Sequence, residues 1–368
     1  MDLASVAPTL LDKMRFLTAP AAYGAAVENV AVKETHMSFV FLTEDRVYKL
    51  KKPICRPPLD LTTLAAREAN CLDEVRLNRR LAPELYLGTV ALTCSREGQL
   101  ALGGNGQIVD WLVVMRRLPA ELMLDQLLAQ DGLAEGRVDE LADLLARFYV
   151  AAARPKLPPD TYLARLIAQH RLNLDVLKRP FANYDPSHAL AIGMRIDAAI
   201  KGCGPLLITR AAAGAIVEGH GDLRPEHVCF NRPLVIFDCL EFSDELRTLD
   251  PFDELAYLAL ECSVLAHQHE PAVQEATPIR GANKGGATIS ASDFGPRLIA
   301  KVAERLGQEP PAMLLHLYTA LRAELRARLM LAHLLDAHPR EPEKWAPLAG
   351  LYLAFAENSL NCLDVAVA

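Results

Sequence analysis

The chain has 368 residues, 51% of them hydrophobic and 23% charged, with a formal net charge of −7, a pI near 5.8 and a mean hydropathy of +0.11. That apolar fraction excludes a mainly disordered chain, and the acidic balance argues against a nucleic-acid binder. No run approaches the roughly 18–20 apolar residues of a membrane span. The N-terminal MDLASVAPTLLDKMRF carries an early acid and no basic stretch ahead of an apolar run, so a secretory signal is not expected and the location reads as cytoplasmic. Eight cysteines, at 55, 71, 94, 203, 229, 239, 262 and 362, form no CxxC pair. They read as free, mostly buried thiols in a reducing compartment.

Residues 7–20 suggest a short helix ending at Pro20. From Val30 to Lys51 the apolar runs in NVAVKETH, SFVFL and RVYKL, with the turn TEDR, predict an antiparallel meander. After Pro53, Pro57 and Pro58, the segment AAREANCLDEVRLNRRL predicts a helix stopped by Pro83. TVALT and IVDWLVVM predict two more strands, with the turn-rich LGGNGQ between them. Beyond Leu118 the pattern becomes helical, with segments expected at 121–130, 136–152, 160–178, 186–201, 251–268, 294–307, 311–336 and 346–363. One short β-like island, 227–238, interrupts them, and 270–292 is the most loop-like stretch. The organisation is therefore a β-rich lobe with one prominent helix, 1–118, and a helical lobe, 119–368. Charge divides with them: 15 basic against 13 acidic residues in the first part, 24 against 33 in the second.

The chemistry concentrates in HGDLRPEHVCFNRPLVIFDCLEF, residues 220–242. Asp222 sits in a loop before a hairpin and Asp238 ends its second strand, so two carboxylates can face one site. Phosphoryl transfer needs such a pair, one to receive the hydroxyl proton and one to hold a metal. HGDLRPEH resembles the catalytic loop of the aminoglycoside phosphotransferase family, HGDxxxxN, and is similar to the HRDLKPEN loop of Ser/Thr protein kinases. The Asp of VIFD corresponds to the metal-binding Asp that kinases carry in DFG. ETHMSFVFL, LNRRLAPELYLG and DELAYLALEC resemble segments of a bacterial group of aminoglycoside-phosphotransferase-like proteins of unassigned substrate.

The resemblance implies a bilobal, kinase-like α+β fold with nucleotide between the lobes. Asp222 is then the catalytic base, Asp238 the magnesium ligand, and Arg224 a contact to the transferred phosphate. The family's second metal ligand, Asn, is His227 here. Imidazole suits softer ions than magnesium, so His227 either shifts the metal preference toward manganese, binds phosphate, or leaves that position empty. Glu241 either supplies a replacement oxygen or pairs with an arginine such as Arg247.

For the nucleotide, RVYKLKK offers three lysines. Strand alternation places Val47, Lys49 and Lys51 on one face. Lys49, with Val47 two residues before it to lie on adenine, is the expected phosphate lysine, and Lys51 and Lys52 read as solvated. Its orienting acid is Glu74 rather than Glu68. THMS at 35–38 stands where a glycine-rich loop would be, with Ser38 as the expected phosphate contact. WLVVMRRLP resembles the hinge, whose backbone near Met115 to Arg117 would meet adenine. GANKGGAT has Ala287 where a Walker loop needs lysine, and reads as a surface loop.

Asp250 and Asp253 open a helix and read as structural. Arg322 and Arg326 share a helix face, with Arg328 nearby, and read as a salt-linked surface with Glu324 and Asp336. His267 and His269 read as solvated helix-end residues. The function expected is ATP- and magnesium-dependent phosphorylation of a hydroxyl on a small molecule, with no nucleic-acid or membrane partner. A nucleotide-binding pseudokinase and a metal-dependent hydrolase using Asp222, His227 and Asp238 are the alternatives. The acceptor and the oligomeric state are not legible.

Overall fold

A computed structural model of the chain describes residues 8–56, 59–130, 133–269, 288–309, 311–336 and 339–367; Pro57, Pro58 and the Walker-like stretch 281–287 lie outside them. The chain divides into two compact units, one of residues up to Leu122 with Val228–Glu245, the other of Met123–His227 with Leu246–Ala368.

The first unit is built on an antiparallel sheet. In chain order its elements are α1 (Leu10–Thr18), β1 (Ala31–Glu34), β2 (Ser38–Leu42), β3 (Arg46–Lys51), the short ribbon β4 (Cys55–Arg56) and β5 (Leu59–Asp60), α2 (Leu64–Asn78), β6 (Tyr86–Cys94), β7 (Leu100–Leu102) and β8 (Gln107–Arg116). The sheet order is β1-β2-β3-β8-β6-β7. Alternation along β3 sends Tyr48 and Leu50 into a core with Leu17, Phe41, Leu92, Leu112 and Val114, and sends Lys49 and Lys51 to the other face. That second face meets α2, whose Glu74 contacts both lysines. A buried ion triad fixes the helices to the sheet: Asp110 of β8 takes Lys13 of α1 and Arg67 of α2, each at 2.7 Å. The segment Val228–Glu245 adds a small hairpin pairing Val228 with Ile236 and Cys229 with Val235. It is anchored by Phe230 N–H on the Leu122 carbonyl at 2.8 Å.

Two local expectations for this unit are corrected. The first helix is shorter than 7–20, because Thr9 caps it through Asp12 in a capping box and a 3-10 turn, Pro20–Tyr23, follows. LGGNGQ is not only a turn: the segment before Gly103 forms β7, which pairs with β6. Its three residues are too few to show a period of two.

The second unit is helical: α3 (Leu124–Ala129), α4 (Glu135–Ala151), α5 (Pro159–Leu177), α6 (Pro186–Ala212), the one-turn α7 (Asp244–Arg247) at its boundary, α8 (Pro251–His269), α9 (Ala291–Leu306), α10 (Ala312–Ala332) and α11 (Pro342–Val367). Helix α10 packs against α5, α6, α8 and α11, which makes it the centre of the bundle. Helix α6 continues past the expected end at 201 to Ala212, with Pro205 inside it. Gly202, Gly204 and Pro205 read locally as breakers, but Ile200, Cys203, Gly204 and Leu207 are buried, and that burial outweighs the lost helix bond. Two residues on each side pair antiparallel, Val217–Glu218 with Thr248–Leu249. That pair brings the loop 219–227 to the start of α8. No helix among the described residues is long and apolar enough to cross a membrane. Of the eight cysteines, Cys55 and Cys362 are exposed and the other six are buried.

Candidate active site

Each unit holds one set of chemistry-bearing residues. In the first unit Lys49 Nζ lies 2.7 Å from Glu74 Oε1 and 2.7 Å from Asp238 Oδ1. Glu74 is fully buried, while the Asp238 side chain is 42% exposed, so Lys49 links an inner acid to an outward-facing one. Burial works against charge on Lys49, but Asp238 and then Glu74 outweigh it and hold the ammonium well above its ordinary range. Glu74 is likewise disfavoured by burial and rescued by Lys49 and Lys51, leaving its carboxyl below the usual range.

Asp238 adopts a left-handed backbone, φ 62°, which costs a non-glycine residue about 1–2 kcal/mol. Neighbours hold the strain in place. Tyr86 Oη accepts the Asp238 N–H at 3.2 Å, and Asn78 Oδ1 accepts the next N–H, that of Cys239, at 2.8 Å. Asn78 in turn donates to the Glu74 carbonyl at 2.9 Å. Backbone strain of this kind persists where surrounding contacts over-determine it, which is typical of functional positions. Tyr86 and Asn78 were not singled out in the sequence; the Glu74–Asn78 spacing, one helical turn on one face, was the available signal.

The other residues expected around a nucleotide lie on the same sheet. Val47 pairs across the sheet with Met115, which pairs with Tyr86. Ser38 is buried and sits opposite Lys51 in register. Beyond Met115 the backbone donors are taken: Arg116 N–H goes to Leu85 O at 2.9 Å and Arg117 N–H to Asp45 O at 2.8 Å. The Arg117 guanidinium donates to Thr43 O at 2.6 Å.

Lys51 is a correction. Instead of being solvated it is 2% exposed, and its Nζ contacts Glu74 Oε2 and, at 2.6 Å, Glu241 Oε1. Glu241 is thus held by a lysine of the sheet, a partner that a local reading of 238–247 did not contain.

In the second unit, Asp222 lies in the loop that precedes the hairpin. Arg224 Nε is 3.1 Å from Asp222 Oδ1 and its Nη1 is 2.6 Å from Glu226. Tyr257 Oη donates to Asp222 Oδ1 at 3.3 Å. Burial opposes ionisation of Asp222, but Arg224, His227 and Arg326 outweigh it and keep the carboxyl below the usual range. His227 Nδ1 lies 2.8 Å from the Asp222 carbonyl. A carbonyl only accepts, so Nδ1 carries the proton and Nε2 is left to face the Arg224 guanidinium at 3.4 Å.

The support beneath this loop comes from Glu254, which sequence reasoning passed over in favour of Asp250 and Asp253. Glu254 Oε1 accepts the N–H groups of His220 at 2.9 Å and Gly221 at 2.6 Å, and Oε2 accepts from Tyr149 Oη at 2.9 Å. Gly219 permits this approach, since a Cβ there would lie 3.0 Å from Glu254 Oε2. Asp250 instead takes Arg210 in two contacts, and Asp253 takes Arg322 at 2.7 and 2.9 Å. Arg322 and Arg326 are therefore not a solvated surface. Arg326 Nε donates to Glu261 at 3.0 Å, and the expected partner Glu324 is buried against His170 and Asn173. The acids that recruit these arginines lie on α8, distant in sequence.

No protein-family model matches the chain. Uncharacterised proteins of Mycobacterium bovis and Mycobacterium tuberculosis are 30% identical over 303 residues, covering 82% of this chain and 54% of theirs. The chain thus spans about half the length of the curated relatives it matches. Among solved structures, an aminoglycoside phosphotransferase in its GDP and kanamycin complex aligns with a TM-score of 0.50 and 14% identity over 95% of this chain and 99% of that one. A choline kinase from Cryptosporidium parvum aligns with a TM-score of 0.51 and 9% identity over 95% and 94%. At such identities the likeness speaks for the fold. The chain shares the fold of these aminoglycoside phosphotransferase and choline kinase structures.

Proposed function

We propose that the chain is a phosphotransferase that moves the γ-phosphate of ATP to a hydroxyl of a small molecule. The observation that carries this reading is Lys49, whose ammonium is held between buried Glu74 and outward-facing Asp238. A phosphate-binding lysine needs such an orienting acid, and a metal-bound nucleotide needs such an exposed carboxylate. The kinase-like fold and the ionised Asp222 of the second unit support it.

The donor set fits magnesium. Asp238 offers a hard carboxylate oxygen, and magnesium is commonly held by one or two carboxylates plus phosphates and water. His227 fits less well, because its Nδ1 is engaged by the Asp222 carbonyl and its Nε2 faces a guanidinium. We assign it to bracing the catalytic loop, with Asp238 as the metal-holding residue. Glu241, engaged by Lys51, is not needed as a ligand. A bound magnesium would neutralise charge on the transferring phosphoryl group.

The chain's own groups do the rest. Lys49 binds the α- and β-phosphates, and Glu74 fixes its direction. Val47 and Met115 provide apolar surface for adenine, and Ser38 with nearby amides contacts phosphate. Asp222 accepts the proton of the acceptor hydroxyl, Tyr257 and Arg224 hold its carboxylate, and Arg224 meets the transferred phosphate. Proton acceptance by a positioned base contributes about 10²–10⁴ in rate, with positioning supplying more.

A thermal-shift panel of ATP, GTP and ADP with magnesium, manganese or zinc tests the reading. ATP with magnesium is expected to raise the melting temperature. Absence of any nucleotide-dependent shift would refute the phosphotransferase assignment at its first step, and stabilisation by zinc alone would favour a hydrolase.

A further inference from the structure

Lys51 carries more than a phosphate-binding lysine and its acid require. It lies on the inward face of β3, where a central strand ordinarily places an apolar side chain, and it is 2% exposed. With its neighbours it completes an alternating chain of charges: Asp238, Lys49, Glu74, Lys51, Glu241. Glu74 divides its two oxygens between the two lysines, Oε1 to Lys49 and Oε2 to Lys51. Replacing such a buried network by packed apolar side chains is often neutral or stabilising. Stability alone therefore gives weak reason for the second lysine.

Glu74 gives a better one. Lys49 already serves two carboxylates, and an arriving polyphosphate competes with both for its three protons. With Lys49 as its sole partner, fully buried Glu74 would be left uncompensated whenever the ammonium turned outward, at the cost of a desolvated charge. We propose that Lys51, oriented by Glu241, is a positioning residue that keeps Glu74 ionised and in place while Lys49 engages the nucleotide phosphates. This role rests on the phosphotransferase reading above. The groups facing Glu74 are Lys49 and Lys51 from β3 and Asp238 from the segment after the hairpin, and Tyr86 of β6 and Cys71 of α2 also face the cluster. Burial already opposes the charge on Glu74, and Lys51 is one of the two cations that offset it.

The test is calorimetric binding of a non-hydrolysable ATP analogue with magnesium across a pH series, for wild type, Lys51→Met, Lys51→Arg and the double variant Lys51→Met/Glu241→Gln. Wild type should bind, with affinity falling on the acid side as Glu74 protonates. Lys51→Met should bind about tenfold more weakly near neutrality, the loss of one charge-assisted contact. Its acid limb should move up by about one pH unit. Lys51→Arg should restore the wild-type limb. The double variant should recover melting temperature lost by stranding Glu241, yet keep the displaced limb, which a structural role would not predict. If Lys51→Met does not fold, Lys51→Gln should show the displaced limb. A folded Met or Gln variant with wild-type affinity and an unmoved limb overturns the role and leaves the phosphotransferase reading standing. A wild type that binds no nucleotide removes both.

Discussion

Glu254→Ala should dismantle the 219–227 loop without altering any side chain proposed to meet substrate. Glu254 is 1% exposed and satisfies three donors at once, the N–H groups of His220 and Gly221 and the hydroxyl of Tyr149. The truncation strands all three in a buried space closed by Gly219. An unsatisfied buried donor costs about 1–3 kcal/mol, so local destabilisation should reach about 3–6 kcal/mol after partial relaxation. Glu254→Gln is far milder. Its Oε1 still accepts both amides, and the Tyr149 hydroxyl can turn to accept from the new amide. It also removes a buried charge: burial raises the Glu254 carboxyl, with Gly221 the largest opposing contact. A raised carboxyl contributes stability that is present at acid pH and lost as pH rises through the folded value. The Gln variant should therefore lose less stability than wild type as pH rises above about 4.5, the ordinary glutamate value. Amide hydrogen exchange at His220 and Gly221 is the assay. Exchange at these two positions should accelerate at least about a hundredfold in Glu254→Ala, since about 1.4 kcal/mol is a factor of ten. Wild-type protection there in a folded Ala variant would refute the assignment of Glu254 as the loop's support.

Tyr86→Phe removes only the hydroxyl that accepts the Asp238 N–H. It should cost about 1 kcal/mol of stability and weaken magnesium-dependent more than magnesium-independent nucleotide binding, as read by calorimetry. Asp238→Asn keeps a residue tolerant of the left-handed backbone but gives up the charge next to Lys49, so the fold should persist while metal-dependent binding is lost. His170 is buried against Glu324; burial opposes its charge, but the Glu324 contact outweighs it and raises its ordinary value. That stability is fully present below about pH 6.5 and lost as pH rises through the higher folded value. The melting temperature should fall over that rise in wild type and fall less in His170→Gln.

Legibility followed range along the chain. Five of the six strands of the sheet and the long helices from α4 onward could be read because their apolar periods are local, whereas the short β7 and the one-turn α7 carry no such period. Asp222, Asp238 and Lys49 could be singled out because motif spacing or strand alternation marks them. What failed depended on distant partners. Lys51 read as solvated because a lysine in a strand usually is; its burial is made possible by Glu74 and Glu241, one on α2 and one some 190 positions along the chain. Arg322 and Arg326 formed a plausible surface pair until Asp253 and Glu261 claimed them. Glu254 was overlooked beside Asp253 because both are acids in the first turn of α8, and only Glu254 faces the 219–221 backbone. Periodicity fixes which face a residue occupies and leaves open what that face meets.

In the proposed mechanism Asp222 and Asp238 divide the chemistry between base and metal. Titration of magnesium–ATP into wild type, Asp222→Asn and Asp238→Asn, paired with γ-phosphate release under the same conditions, measures that division directly. Wild type should bind and turn over, Asp238→Asn should lose metal-dependent binding, and Asp222→Asn should bind as wild type with phosphate release reduced at least about a hundredfold. Phosphate release by Asp222→Asn at the wild-type rate, or no nucleotide affinity in the wild type, would contradict it.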